Sequence, residues 1–197
     1  MDAYDTQVWA VAVVILVALV AAAWLLAREH RRKQSHRLQQ RFGPEYARVV
    51  AERGNKAQAE AELLERERRV ERFKLLALTA EDAAKFGHAW ATLQTRFVDN
   101  PRGAVVEADH LVRDLMVRRG YPMADFERRA ADISVAHPVA VDAYRNARAI
   151  AVRDQTTPVS TEELREAMVY YRKLFDELLE THRQRPTSVS HTETVHT

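Results

Sequence analysis

The sequence has no cysteine and few residues that break helices. Among its 197 residues are 5 Gly and 6 Pro, which is about half the usual combined share. The lack of Cys excludes disulfides, thiolate metal sites and a Cys nucleophile. The scarcity of turn-forming residues argues against a sandwich, a barrel or a disordered chain. Since no segment alternates between apolar and polar residues, the sequence predicts an all-α fold built from long helices.

Charge is absent from residues 8–27, which read VWAVAVVILVALVAAAWLLA. At about 1.5 Å per residue, a helix of this length spans roughly 30 Å, the thickness of the hydrocarbon core of a bilayer. Trp9 and Trp24 lie near its two ends, where indole rings prefer the headgroup level. Residues 1–7 contain no Lys or Arg, and the run is longer than the apolar part of a signal peptide. We therefore predict an uncleaved transmembrane anchor rather than a cleaved leader.

Basic residues are concentrated directly after the apolar run, in a juxtamembrane arm at 28–41. The arm contains one Glu and six basic residues, which are Arg28, Arg31, Arg32, Lys33, Arg37 and Arg41. The positive-inside rule then predicts that residues 1–7 are an extracytoplasmic tail and that everything after the anchor is cytoplasmic. The predicted membrane-interface residues are Trp9, Trp24, Arg28, Arg31, Arg32, Lys33 and Arg37.

The predicted partner of this arm is the anionic surface of the bilayer. In the alternative interpretation, the basic charges only set the topology. Residues 42–197 are close to neutral, and no nucleic-acid-binding motif is present, so nucleic acid is not a predicted partner.

Proline and capping residues divide the rest of the chain into predicted helices. These helices cover residues 44–53, 56–74, 79–99, 101–119, 122–134, 138–153 and 161–180. Their end signals include Asn100 before Pro101, Gly120 after a helix, and a capping box from Ser160 to Glu163. We predict a charged helical connector over 42–78, a bundle of about five helices over 79–181, and a disordered tail over 182–197.

Two expectations concern which side chains face the core. The helix at 56–74 has 11 charged residues among 19, and we interpret it as a solvated charged helix. A stalk, a short coiled coil and a helix lying on the bundle remain as alternatives. In the helix at 122–134, the spacing predicts Met123 on the apolar face.

The sequence supplies no complete catalytic, metal-binding or cofactor-binding motif. Glu107 and His110 form one Glu-x-x-His pair, whereas a di-iron bundle needs two such pairs and two further Glu residues. We interpret this pair as solvent-facing. No nucleophile elbow, Walker loop or dinucleotide-binding glycine motif is present. No catalytic residue, metal or cofactor is therefore predicted.

Several segments resemble an uncharacterised family of bacterial, membrane-anchored helical proteins. These segments are RFGPEY at 41–46, QTRFVD at 94–99, RGYP at 119–122, RAADISVAHP at 129–138 and YYRKLF at 170–175. The similarity covers about 41–180 and follows a single anchor. It implies a bacterial inner-membrane protein with one anchor, and it carries no catalytic role because the family has no established activity.

Four residues of these segments lie at predicted helix ends: Asp99, Arg119, Tyr121 and His137. Such residues commonly cap and brace adjacent turns, with His137 placed to cap the helix that follows. A more specific hypothesis than this bracing role is that the four residues form a partner-binding surface. The sequence thus favours a non-enzymatic, membrane-tethered interaction module with a protein partner. An unrecognised enzyme with a site between bundle helices and a self-associating scaffold are the alternatives.

Overall fold

A computed structural model describes the backbone of residues 2–180 and the side chains of residues 16 and 19–180. Within this described part the chain forms eight helices and no strand, which confirms the all-α prediction. The helices are α1 (Asp2–Phe42), α2 (Pro44–Arg53), α3 (Lys56–Glu71), α4 (Ala80–Arg96), α5 (Pro101–Arg118), α6 (Phe126–Ile133), α7 (Pro138–Thr156) and α8 (Thr161–Glu180).

The chain divides into two compact units, Met1–Glu60 and Ala61–Thr197. The division falls inside α3, within the segment 42–78 that the sequence predicts to be a connector. Unit 1 contains α1, α2 and the beginning of α3. Unit 2 contains the rest of α3 and the five helices α4–α8, which correspond to the predicted bundle.

Helix α1 of unit 1 runs without a break from Asp2 to Phe42. It therefore contains both the predicted anchor and the basic arm. The helix ends where Gly43 takes a positive φ of 48°, and Pro44 then occupies the first turn of α2. Leu38 and Phe42 are fully buried, as is Val49 of α2. The end of α1 therefore packs against α2 through apolar side chains.

The predicted transmembrane segment lies within α1. Among the described residues, no helix combines the length and the apolar character that crossing a bilayer requires. The side chains of residues 8–15, 17 and 18, including Trp9, lie outside the described residues. The same holds for the side chains of the predicted extracytoplasmic tail and for the whole of the predicted tail at 182–197.

Unit 2 is organised around α8, which packs against α5 and α7, while α4 packs on α5 and α6 on α7. The apolar face predicted for α8 is confirmed, because all of its members are buried. They are Leu164, Ala167, Met168, Tyr171, Leu174, Phe175 and Leu178. Trp90 of α4 is also buried, with its ring centroid 4.7 Å from that of Phe175.

Three of the predicted end signals are confirmed by their hydrogen bonds. The side chain of Asn100 accepts from the backbone N–H of Gly103 at 3.0 Å. Ser160 and Glu163 form the reciprocal capping box, with bonds of 3.2 and 2.9 Å. After α5, Gly120 has a φ of 87°, and the N–H of Tyr121 donates to the carbonyl of Met116. These two features identify a Schellman-type C-cap.

Helix α6 begins four residues later than predicted. The carboxylate of Asp125 accepts from the backbone N–H of Arg128 at 2.9 Å, which makes Asp125 the N-cap. Residues 122–124 therefore precede the helix, and Met123 is 58% exposed rather than part of the core. The prediction for Met123 was wrong because helical spacing was applied to residues that lie before the cap.

The interpretation of 56–74 as a solvated helix is also wrong for the part of α3 in unit 2. Leu63 is fully buried and Arg66 is only 4% exposed. Arg66 donates to the hydroxyl of Ser134 at 3.3 Å, and Arg69 pairs with Asp132 at 2.7 Å. This part of α3 lies on the bundle, which was one of the alternatives, and the helix ends at Glu71 rather than at 74.

Replacing Gly120 by Ala should destabilise the protein by about 2 kcal/mol or more, because a left-handed residue with a side chain already costs roughly 1–2 kcal/mol. In addition, a Cβ at this position would lie 2.5 Å from the carbonyl oxygen of Lys74. Thermal unfolding of the full-length protein, followed by circular dichroism, measures the loss.

The matched control is Gly87→Ala in α4, where an added Cβ meets no atom within 4 Å. Alanine is the better helix former, so this change should be neutral or stabilising by up to about 1 kcal/mol. Equal effects of the two substitutions would contradict the assignment of Gly120 as a steric and conformational requirement.

Candidate functional site

Apolar side chains surround α1 before the basic arm begins. The described members are more than half exposed: Leu16, Leu19, Val20, Trp24, Leu25 and Leu26. Because successive helical residues point about 100° apart, the last three alone face most directions around the helix. The guanidinium of Arg28 lies 5.3 Å from the ring centroid of Trp24, a cation–π contact at the junction of the apolar and basic parts.

A cavity of about 690 Å³ lies in unit 1 beside this junction. Its lining residues are Trp24, Ala27, Arg28, Arg31, Arg32, Ser35, His36 and Gln39 of α1, and Lys56 and Glu60 of α3. Three of the predicted interface cations therefore line it, whereas Lys33 pairs with Glu29 at 3.5 Å and Arg37 is not in the lining. The sequence analysis missed Lys56, which is far from the arm along the chain.

The structure brings together three of the four predicted helix-end residues. Arg119, Tyr121 and His137 are each about 5% exposed. Arg119 donates to the carbonyl of Leu178 at 3.1 Å, and Nδ1 of His137 lies 3.2 Å from a carboxylate oxygen of Glu177. We call Arg119, Tyr121, His137 and Glu177 the α8-end cluster.

Asp99, the fourth helix-end residue, is exposed in the turn before α5. Among the described residues, no hydrogen bond or ion pair joins it to the α8-end cluster. His137 occupies the predicted N-cap position of α7, where its carbonyl accepts from the N–H of Val141, but its side chain forms no capping bond. The burial of the other three side chains favours bracing over the partner-surface hypothesis, because buried groups offer little area to a partner.

Burial also controls ionisation in the α8-end cluster. Desolvation lowers the pKa of His137 below its ordinary value, with Glu177 acting in the opposite direction. Desolvation likewise lowers the pKa of Arg119 and raises that of Tyr121. Among the described residues, Nε2 of His137 and the hydroxyl of Tyr121 find no hydrogen-bond partner. Burial in the cluster therefore favours the neutral form of the His137 side chain over the protonated form.

A second buried polar group connects three helices of the bundle. The hydroxyl of Tyr171 in α8 donates to Asp109 in α5 at 3.2 Å. Arg113 pairs with the same carboxylate at 3.2 Å, and Arg148 of α7 lies 3.9 Å away. Sequence reasoning considered the neighbours Glu107 and His110, which are exposed as predicted. The sequence did contain a signal that Asp109 is buried, because it lies four residues after Val105 and therefore on the apolar face of α5.

An apolar groove of about 310 Å³ lies between α4 and α8. Its lining residues are Trp90, Gln94, Phe97, Arg165, Met168, Val169, Arg172, Lys173 and Asp176. Arg172 lies 5.4 Å from the ring centroid of Trp90 and pairs with Asp176 at 2.7 Å. The groove therefore combines an aromatic and thioether floor with a charged rim, a composition typical of protein interfaces.

Neither a metal site nor a relative adds to the description of these sites. Among the described residues, no group of three or more His, Asp or Glu side chains is placed to hold a metal ion. Comparison of the chain with protein-family models, with curated proteins and with solved structures gives no match.

We expect the protein to lose stability as the pH falls below about 6.5, the ordinary pKa of His. Because burial lowers the pKa of His137 in the folded state, the unfolded chain takes up the proton first. The stability that comes from neutral His137 is fully present above that pH. It is lost as the pH falls toward the lowered pKa of His137 in the folded state. His137→Gln should flatten the change in melting temperature between neutral and mildly acidic pH.

His88→Gln is the control for this experiment, because His88 is an exposed residue of α4. It should leave the pH dependence as it is in the unaltered protein. An unchanged pH dependence in His137→Gln would show that the α8-end cluster does not discriminate between the two protonation states.

Proposed function

We propose that the protein is a non-enzymatic, membrane-tethered helical interaction module. Its N-terminus lies outside the inner membrane of a bacterium and its bundle lies in the cytoplasm. The observation that carries this proposal is the junction in α1, where apolar side chains exposed around the helix are followed by cations within the same unbroken helix.

The physical reason is the cost of exposing apolar surface to water, about 25 cal/mol per Å². The described large apolar side chains between Leu16 and Leu26 remain more than half exposed, and hydrocarbon would remove that cost. A helix also satisfies its own backbone hydrogen bonds, as hydrocarbon requires. The cations that follow Trp24 favour retention of their side of the helix in the cytoplasm.

The groove between α4 and α8 is the proposed docking place for a protein partner. Interfaces are enriched in aromatic residues, Met and Arg, and Trp90, Met168 and Arg165 line this groove. Tethering confines the bundle to the bilayer surface and so raises its effective concentration toward other membrane proteins.

The full-length protein should sediment with bacterial membranes and resist extraction by alkaline carbonate. A variant that lacks residues 2–27 should be released, because it has lost the apolar helix but retains the bundle. Immunoblotting of the two fractions measures the distribution. Release of the full-length protein by carbonate would contradict the anchor.

The absence of native Cys allows the topology to be tested with single substitutions. Thr6→Cys should react with a membrane-impermeant maleimide in intact cells, whereas Gln40→Cys should react only after lysis. The reverse pattern would contradict the proposed orientation while leaving the anchor intact.

The groove predicts a difference between two surface valines of equal exposure. Val169 in the groove and Val152 on α7 are both 43% exposed. With a photo-crosslinking residue in place of Gln94, Val169→Lys should reduce crosslinking to the partner at least tenfold, since the added ammonium would be buried beside the like charges of Arg165 and Lys173. Val152→Lys should leave the yield within about twofold, as expected for a surface change away from the interface.

The identity of the crosslinked product separates the functional hypotheses. A product with a different protein supports the module. A product of twice the chain's own mass instead favours the self-associating scaffold. An equal loss of crosslinking in both valine variants would contradict the assignment of the groove as the docking place.

A further inference from the structure

We infer that the cavity of unit 1 is a binding site for the phosphate of an anionic phospholipid headgroup, completed by Lys56 of α3. This inference rests on the proposed membrane anchor and specifies what the basic arm binds. It differs from a general attraction to the bilayer because it requires one cavity and particular side chains.

The charge of the lining is the first argument. Four cationic side chains face the cavity, namely Arg28, Arg31, Arg32 and Lys56, against the single carboxylate of Glu60. That carboxylate already accepts a hydrogen bond from the hydroxyl of Tyr46 at 2.8 Å and lies 3.7 Å from the ammonium of Lys56. A phosphate placed in the cavity would therefore meet a strong excess of positive charge.

The unpaired state of two cations is the second argument. Within the described part of the chain, the guanidinium groups of Arg31 and Arg32 have no hydrogen-bond or ion-pair partner, whereas Lys33 on the same helix pairs with Glu29. The guanidinium is the side chain best matched to phosphate, because it offers a planar fork of donors. The hydroxyl of Ser35, a residue only 8% exposed, adds a further polar group to the lining.

The position of the cavity along α1 is the third argument and indicates a lipid as the source of the phosphate. Trp24 marks the headgroup level. At 1.5 Å per residue, Arg28 lies about 6 Å and Arg32 about 12 Å further along the helix. The headgroup layer on each side of a bilayer is roughly 5–8 Å thick. A headgroup that projects toward the cytoplasm thus reaches the cavity, as in other basic pockets near membranes.

The test compares two double variants of the full-length protein in neutral detergent. Arg32→Gln with Lys56→Gln removes two charges from the cavity, one from each helix. Arg53→Gln with Lys74→Gln removes two exposed charges that lie outside both the lining and the basic arm. Short-chain phosphatidylglycerol, short-chain phosphatidylcholine and inorganic phosphate are the probes, and broadening of their phosphorus NMR signals measures binding.

We expect the unaltered protein to bind phosphatidylglycerol in preference to phosphatidylcholine. The cavity variant should bind phosphatidylglycerol about thirtyfold more weakly, as expected for the loss of two basic contacts with an anionic lipid. The variant with Arg53 and Lys74 replaced should remain within about threefold of the unaltered protein, since these sites lie outside the cavity. Arg32→Lys with Lys56→Arg, which retains both charges, should restore most of the binding.

Three results would overturn the inference. Equal weakening in both Gln variants would show a general effect of charge. Equal binding of the two lipids would show no site for an anionic headgroup. Binding of inorganic phosphate without phosphatidylglycerol would assign the cavity to a soluble anion. Binding of phosphatidylglycerol, with or without inorganic phosphate, that only the cavity Gln variant loses supports the inference.

Carbonate extraction of the same proteins separates this inference from the proposed anchor. An unaltered protein that binds phosphatidylglycerol in detergent but is extracted from membranes would contradict the anchor and leave the cavity site standing. A protein that resists extraction but does not distinguish the two lipids would contradict the cavity site alone.

Discussion

The burial of one face of α8 is the constraint on which unit 2 depends. This helix packs against both α5 and α7, and its buried residues recur every three or four positions. Two polar contacts fix its position along the bundle: Tyr171 reaches Asp109, and the carbonyl of Leu178 accepts from Arg119. Apolar packing supplies most of the stabilisation, while the directional bonds select one arrangement among those that would bury a similar area.

The helices that were predicted well are those whose ends carry their own hydrogen-bonding partners. Ser160 with Glu163 and Asn100 with Pro101 satisfy the first turns of their helices locally, so neighbouring residues are enough to identify them. Helix α6 was misplaced because a competing local signal, the carboxylate of Asp125, lay inside a stretch of helical spacing. Periodicity indicates which side chains share a face, but the cap decides where the helix begins.

The candidate sites were harder to predict because they depend on residues that are distant along the chain. The cations on α1 could be identified because they are concentrated directly after the apolar run, yet nothing near Lys56 indicates that it lines the same cavity. Likewise, Arg66 and Arg69 look like members of a solvated helix until Ser134 and Asp132 are placed beside them. A count of charges cannot distinguish a side chain in water from one paired across helices, since both have the same composition.

The uninterrupted course of α1 has a mechanical consequence. Sharp bends in helices require Pro, Gly or a local irregularity, and α1 has neither Pro nor Gly before Gly43. The positions of Trp24, Ser35 and Leu38 around the helix axis are therefore fixed relative to one another, since each residue adds about 100° of rotation. Torque applied to the apolar end of α1 would therefore be transmitted as rotation to the packed side chains of Leu38 and Phe42.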